Sequence, residues 1–192
     1  NKVADASMDI GFGLGDPAEN FAYEFSLGII SMASQNGSSG FGSDGTLGVK
    51  AHKYLTKDSN LSGSIGLSNL YKWGEASNIN TYYGALSKTF NLIPKRKEFP
   101  SMLTLGLGTG SFRSNASRED ENNDPNLFGS YGVRILPRVT IGSSWTGRSL
   151  NSGINISPFN FPLSINVGVN DINEQTNAKR EISFDTSYIF RY

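Results

Sequence analysis

Along most of the chain apolar side chains recur at every second position, with small or polar ones between them. Residues 180–192 show it most clearly. Ile182, Phe184, Thr186, Tyr188, Phe190 and Tyr192 fall on one side of an extended strand, and Ser183, Asp185, Ser187 and Arg191 on the other, because successive strand side chains point to opposite faces. Residues 7–15 repeat the pattern, with Met8, Ile10, Phe12 and Leu14 opposing Ser7, Asp9, Gly11 and Gly13. Turn chemistry follows at 16–20, where a proline presets one dihedral and Asx side chains bond their own backbone. The chain then reverses: Phe21, Tyr23, Phe25, Leu27 and Ile29 face one way, Ala22, Glu24, Ser26 and Gly28 the other.

After a long Gly/Ser loop at 34–45, Leu47, Val49 and Ala51 oppose Thr46, Gly48, Lys50 and His52. A short turn at 57–60 leads to a strand at 61–68, and a long connection at 69–80 carries Trp73. A fifth strand spans 81–90, and a basic turn, NLIPKRKEFP, spans 91–100. The sixth strand is set by Leu103, Leu105 and Leu107 and ends near Phe112. Residues 113–126 are the most hydrophilic of the chain and read as a loop. Strands at 127–136 and 139–146 share a minimal turn, a short strand covers 154–157, and 163–170 and 180–192 complete the set.

No helical periodicity of any length occurs, so the pattern predicts an all-β, antiparallel up-and-down chain of about eleven strands. Connections are expected to be short after strands 1, 3, 5, 7 and 9 and generally longer after 2, 4, 6, 8 and 10. Transmembrane barrels alternate in this way, with short periplasmic turns and long outer loops. Greek-key sandwiches have no reason to.

Composition decides which face is the inside. Only 37% of the 192 residues are hydrophobic, while 22 are glycine. If the apolar faces pointed inward, eleven or twelve strands would enclose more volume than these side chains fill. Turned the other way, the apolar face meets lipid, the small polar face lines a lumen, and closure pairs every backbone amide and carbonyl. The expectation is one transmembrane β-barrel domain over 1–192. Phe12, Tyr23, Trp145, Tyr188, Phe190 and Tyr192 sit towards strand ends as membrane-interface aromatics. Single-chain bacterial barrels have an even strand count, so a twelfth strand is expected, either preceding residue 1 or supplied by another chain.

Two resemblances sharpen this. An aromatic last residue preceded by apolar residues at alternate positions resembles the C-terminal assembly signal of bacterial outer-membrane β-barrel proteins, which implies an outer-membrane location and engagement with the assembly machinery. GFGLGDP (11–17), SKTFNL (87–92) and the segment 128–159 resemble a group of uncharacterised cyanobacterial envelope proteins. That resemblance implies an organism type and a mature form with one more N-terminal strand, and it names no functional residues.

Lysine plus arginine balance aspartate plus glutamate at 17 each, so no net field draws nucleic acid. There is no cysteine, which removes disulfides, thiolate metal sites and a thiol nucleophile. Asp9, Glu24, Lys50, His52, Arg134, Asp185 and Arg191 are the expected lumen-lining charges. They suit either a constriction selecting small hydrophilic solutes or a salt-bridge network that stiffens or plugs a narrow barrel. His52, the sole histidine, stands with Lys50 and no serine presents itself as its nucleophile, so no catalytic site is expected. The glycines recur with period two and no helix follows them, which excludes a phosphate loop. The acidic loop 117–126 lacks the glycine and terminal glutamate of an EF-hand, and neither metal nor cofactor is expected. The expected function is a narrow passive, porin-like channel. The alternative is a non-conducting barrel that docks a partner through its loops or seam.

Overall fold

The computed structural model describes residues 6–30, 40–56, 58–74, 79–176 and 180–190. Eleven strands run in sequence order: β1 (Met8–Leu14), β2 (Ala22–Ile29), β3 (Gly45–Tyr54), β4 (Leu61–Trp73), β5 (Thr81–Ile93), β6 (Glu98–Gly108), β7 (Asn126–Leu136), β8 (Val139–Trp145), β9 (Leu150–Ile156), β10 (Leu163–Asn170) and β11 (Glu181–Tyr188). They form one antiparallel up-and-down sheet without a crossover. Among the described residues helix is confined to the 3-10 turns Pro94–Arg96 and Gly110–Phe112 and to α1 (Asn115–Glu119). No described helix is long and apolar enough to cross a membrane.

Several expected boundaries move. β4 runs on through Trp73, β6 begins at Glu98, and β9 begins at Leu150 rather than at 154. The expected alternation of connection length is therefore only partial. Residues 30–44, 109–125 and 171–180 are long, but 146–149 is shorter than 157–162. Within 113–126, expected as plain loop, Ser114 caps α1 by accepting from Ser117 N at 3.2 Å. This is an N-cap on a helix too short to show a period.

The chain divides into two compact units, 1–85 with 108–111, and 86–107 with 112–192. In the first, the β1–β2–β3–β4 ladders align the apolar positions into rows such as Phe12, Phe25, Val49 and Leu67. The opposite face carries rows such as Gly13, Glu24, Lys50 and Gly66. Its best-covered point is Thr81, whose hydroxyl donates to Ile79 O, pairs with Ser111 Oγ at 3.0 Å and accepts from Ser111 N at 2.9 Å.

In the second unit the β7 to β11 ladders set Val133, Ile141, Ile154, Val167 and Phe184 in one row on the apolar face. The polar face carries Gly132, Gly142, Gly153, Gly168 and Ser183 in the next row, and Arg134, Thr140, Asn155, Asn166 and Asp185 beyond it. A Cβ on Gly153 would lie 2.9 Å from Val167 O and 3.2 Å from Gly168 Cα. Gly153 therefore needs to be glycine, because neighbouring backbone approaches too closely for a side chain.

Neither unit packs its apolar face. Among the described residues the one buried hydrophobic side chain is Ala22, at 5% exposure. Ile10, Phe25, Leu105 and Val167 remain 48%, 46%, 51% and 46% exposed.

Candidate functional site

The polar face of the first unit gathers charge where β2 and β3 pair. Glu24 and Lys50 are register partners, which places both side chains on one face at the closest cross-strand distance. Glu24 Oε2 lies 2.7 Å from Lys50 Nζ. His52, two residues further along the same face, brings Nδ1 to 3.4 Å from Glu24 Oε1. That is close enough for attraction once the imidazole is charged, but Nδ1 is shielded from solvent and makes no hydrogen bond. Tyr83 is partly buried and stands over Gly66, where any Cβ would run into its ring. The sequence names Glu24, Lys50 and His52 through strand parity. It misses Tyr83, whose place depends on the glycine beneath it.

Asp9 shares this face, its Oδ1 2.9 Å from where a Cβ on Gly28 would lie. In the second unit Arg134 and Asp185 are both exposed. They occupy the ends of one five-strand row, with Thr140, Asn155 and Asn166 between them. At a strand spacing of roughly 4.8 Å they stand about 19 Å apart, so the structure does not bring them together. Arg191 and Tyr192 lie outside the described residues.

Between those ends the polar face of the second unit is hollowed over the glycine row. The hollow has a volume of about 390 Å³ and is bordered by Ser130, Thr140, Asn155, Asn166 and Asp185. Asn155 Nδ2 donates to Asn166 Oδ1 at 2.7 Å. Its wall offers neutral donors and acceptors, with Asp185 as the one charge. Among the described residues no group of three or more His, Asp or Glu side chains could hold a metal.

The expected interface aromatics are placed unevenly. Trp145 and Tyr188 end β8 and β11, Tyr23 is the second residue of β2, Phe190 lies beyond β11, and Phe12 lies inside β1 opposite Phe25. At the end of the second unit that holds the β9–β10 turn, Phe159 stacks on Phe161 at 4.7 Å, Phe161 meets Tyr188 at 6.4 Å, and Tyr188 meets Phe190 at 4.5 Å. At its other end Phe112 stacks on Phe128 at 3.9 Å. Sequence parity misses Phe159 and Phe161 because they sit in a turn.

One charge departs from the pattern. The contact between Ser87 Oγ and Thr104 Oγ1 at 2.8 Å fixes the polar face of β5 and β6, so Lys88 is on the apolar side with Leu86 and Phe90. No family model matches the chain, and no curated protein or solved structure matches it.

Proposed function

We propose that this chain is an outer-membrane β-barrel acting as a narrow passive channel for small polar solutes or ions. The observation that carries this reading is the exposure of the apolar face on strand after strand, with Ala22 the one buried hydrophobic residue among those described. Apolar surface left in water costs about 25 cal/mol per Å², and soluble monomers rarely expose contiguous patches beyond a few hundred Å². Lipid removes that cost and leaves the Ser, Asn, Thr and Gly face for water and solutes. The aromatic clusters at both ends of the second unit fit interfacial girdles. Lys88 fits by lying along the apolar surface and carrying its ammonium towards a headgroup region.

On this reading the Glu24, Lys50 and His52 group is a charged point on an otherwise nearly neutral lumen wall. It favours passage of small hydrophilic solutes with weak charge preference. β11 presents the strand that the outer-membrane assembly machinery would engage. Planar-bilayer recording of the purified protein tests the reading: reproducible open current is expected, and a closed bilayer under all conditions refutes the channel.

A second reading, a non-conducting barrel that docks a partner chain, is favoured by one observation. Every residue of β1 is exposed, and among the described residues its one sheet neighbour is β2. Eleven strands fall one short of the even count of single-chain barrels, and a partner strand along β1 would supply the twelfth. A silent bilayer together with a stoichiometric co-purifying chain would establish that alternative.

A further inference from the structure

The polar face of the second unit is concave. Thr140, Asn155 and Asn166 on that face are half-buried, while Ile141, Ile154 and Val167 on the other face are exposed. Along its middle run Gly132, Gly142, Gly153 and Gly168, register partners from strand to strand. Two residues to one side, the same face carries Ser130, Ser144 and Asn151. Two residues to the other side it carries Thr140, Asn155, Asn166 and Asp185. At a rise of about 3.3 Å per residue these polar rows stand roughly 13 Å apart, and the glycines put no side chain between them. The resulting hollow of about 390 Å³ falls within the range of small-solute sites, roughly 300 to 1,000 Å³.

The polar groups bordering the hollow have hydrogen-bonding capacity to spare. Asn155 Nδ2 donates to Asn166 Oδ1 at 2.7 Å. That leaves Asn155 Oδ1 as an acceptor and Asn166 Nδ2 as a donor, neither with another partner among the described residues. The hydroxyls of Ser130, Thr140 and Ser144 and the carboxylate of Asp185 also border the hollow and make no hydrogen bond or ion pair among the described residues. Asp185 is the one charge on the lining, and Arg134 lies outside it.

A saccharide ring carries hydroxyls around its rim, each both donor and acceptor, and C–H bonds on its two faces. Laid flat over the glycines, it sets a C–H face against a floor without side chains while its rim reaches both polar rows. Two neighbouring hydroxyls can donate to the two oxygens of one carboxylate, which Asp185 supplies. An anionic solute would meet that carboxylate with no cation on the lining to offset it. An apolar solute would take water from amides and hydroxyls without replacing its hydrogen bonds. We propose that the hollow is a binding subsite for one neutral saccharide ring, held by Asp185, Asn155 and Asn166 on one side and by Ser130 and Ser144 on the other. This deepens the channel reading and rests on it for the sugar's role as a passenger. The binding itself lies within one unit and is measured without current. A passenger must leave as readily as it enters, so the expected dissociation constant is on the order of 1 mM.

The test uses the full chain in a zwitterionic detergent that carries no sugar. Glucose and maltose are titrated by saturation-transfer difference NMR, with glucose 6-phosphate as the charged counterpart. Saturable transfer to the neutral sugars and markedly weaker transfer to the phosphate ester are expected. A Cβ on Gly132 would come no closer than 3.8 Å to its neighbours, so Gly132→Leu can fill the hollow and should abolish binding. Asp185→Asn, at an exposed position, should weaken binding about three- to tenfold, and it decides the matter if Gly132→Leu does not fold. In planar bilayers the same sugars should reduce the open current over the same concentration range. Binding in detergent with a silent bilayer upholds the subsite and refutes the passenger role. Open current that neither sugar reduces, together with no saturation transfer, leaves the channel standing and overturns the subsite. Binding unchanged by Asp185→Asn, or glucose 6-phosphate bound as tightly as glucose, overturns it as well.

Discussion

Glu24 stands directly opposite Lys50 across the β2–β3 ladder, with Oε2 2.7 Å from Nζ. The two side chains are 47% and 34% exposed, and ion pairs so open to solvent contribute roughly 0 to 1 kcal/mol. Stability alone therefore gives little reason for the pair, and its effect should appear in the electrostatics of the polar face. Glu24→Gln is expected to change the unfolding free energy by less than about 1 kcal/mol while shifting the reversal potential in a salt gradient towards anions. Lys50→Gln should shift it towards cations. Denaturant titration and bilayer recording of the same preparations check both halves.

The glycine row of the second unit should discriminate between positions that look alike in sequence. A Cβ on Gly153 would meet Val167 O at 2.9 Å, whereas one on Gly132 would meet its nearest neighbour, Ile141 O, at 3.8 Å. Gly153→Ala must displace backbone and is expected to cost about 1 to 3 kcal/mol. Gly132→Ala makes ordinary contacts and should cost less than about 1 kcal/mol. Equilibrium unfolding of the two variants side by side gives the comparison.

Acid should act on the 171–180 connection. Burial pushes the Asp171 carboxyl up, but hydrogen bonds from Thr176 and Gln175 and the charge of Arg148 outweigh it and leave the pKa below the ordinary carboxylate value. A depressed folded-state pKa contributes stability that is fully present above about pH 4, the unfolded value, and is lost as pH falls through the lower folded value. Asp171→Asn should therefore lower the unfolding midpoint at neutral pH and flatten its further decline below about pH 4 relative to the parent chain. Midpoints measured from about pH 7 down to about pH 2.5 decide this.

The all-β meander was legible because period-two alternation is the direct consequence of strand geometry. β10 runs over Leu163–Asn170 as its alternation requires. Legibility failed where the ladder, rather than the local sequence, extends a strand. Asn69 has φ 58° and the β3–β4 register shifts between Leu47 and Val49, so the polar-looking stretch up to Trp73 is carried into β4 past an irregularity. β9 starts at Leu150 because Asn151, Ser152 and Gly153 pair with Ser144, Ser143 and Gly142, although small polar residues alone read as loop. Parity was enough to place Glu24, Lys50 and His52 on one face. It could not bring Phe112 and Gly147 together, since these come from two connections drawn into contact through Asn126.

The central claim is that the exposed apolar face meets lipid, and site-directed labelling tests it most directly. The chain has no cysteine, so single cysteines can be placed at Ile10, Phe25, Leu105 and Val167, and at Asp9, Glu24, Thr104 and Asn166 on the opposite face. Each is labelled with a fluorophore after reconstitution into vesicles containing lipids with a quencher on the acyl chain. Strong quenching at the first four positions, and weak quenching with access to aqueous reagents at the second four, is the expected result. Equal quenching on both faces, or protection of the first four from lipid and water alike, would contradict it.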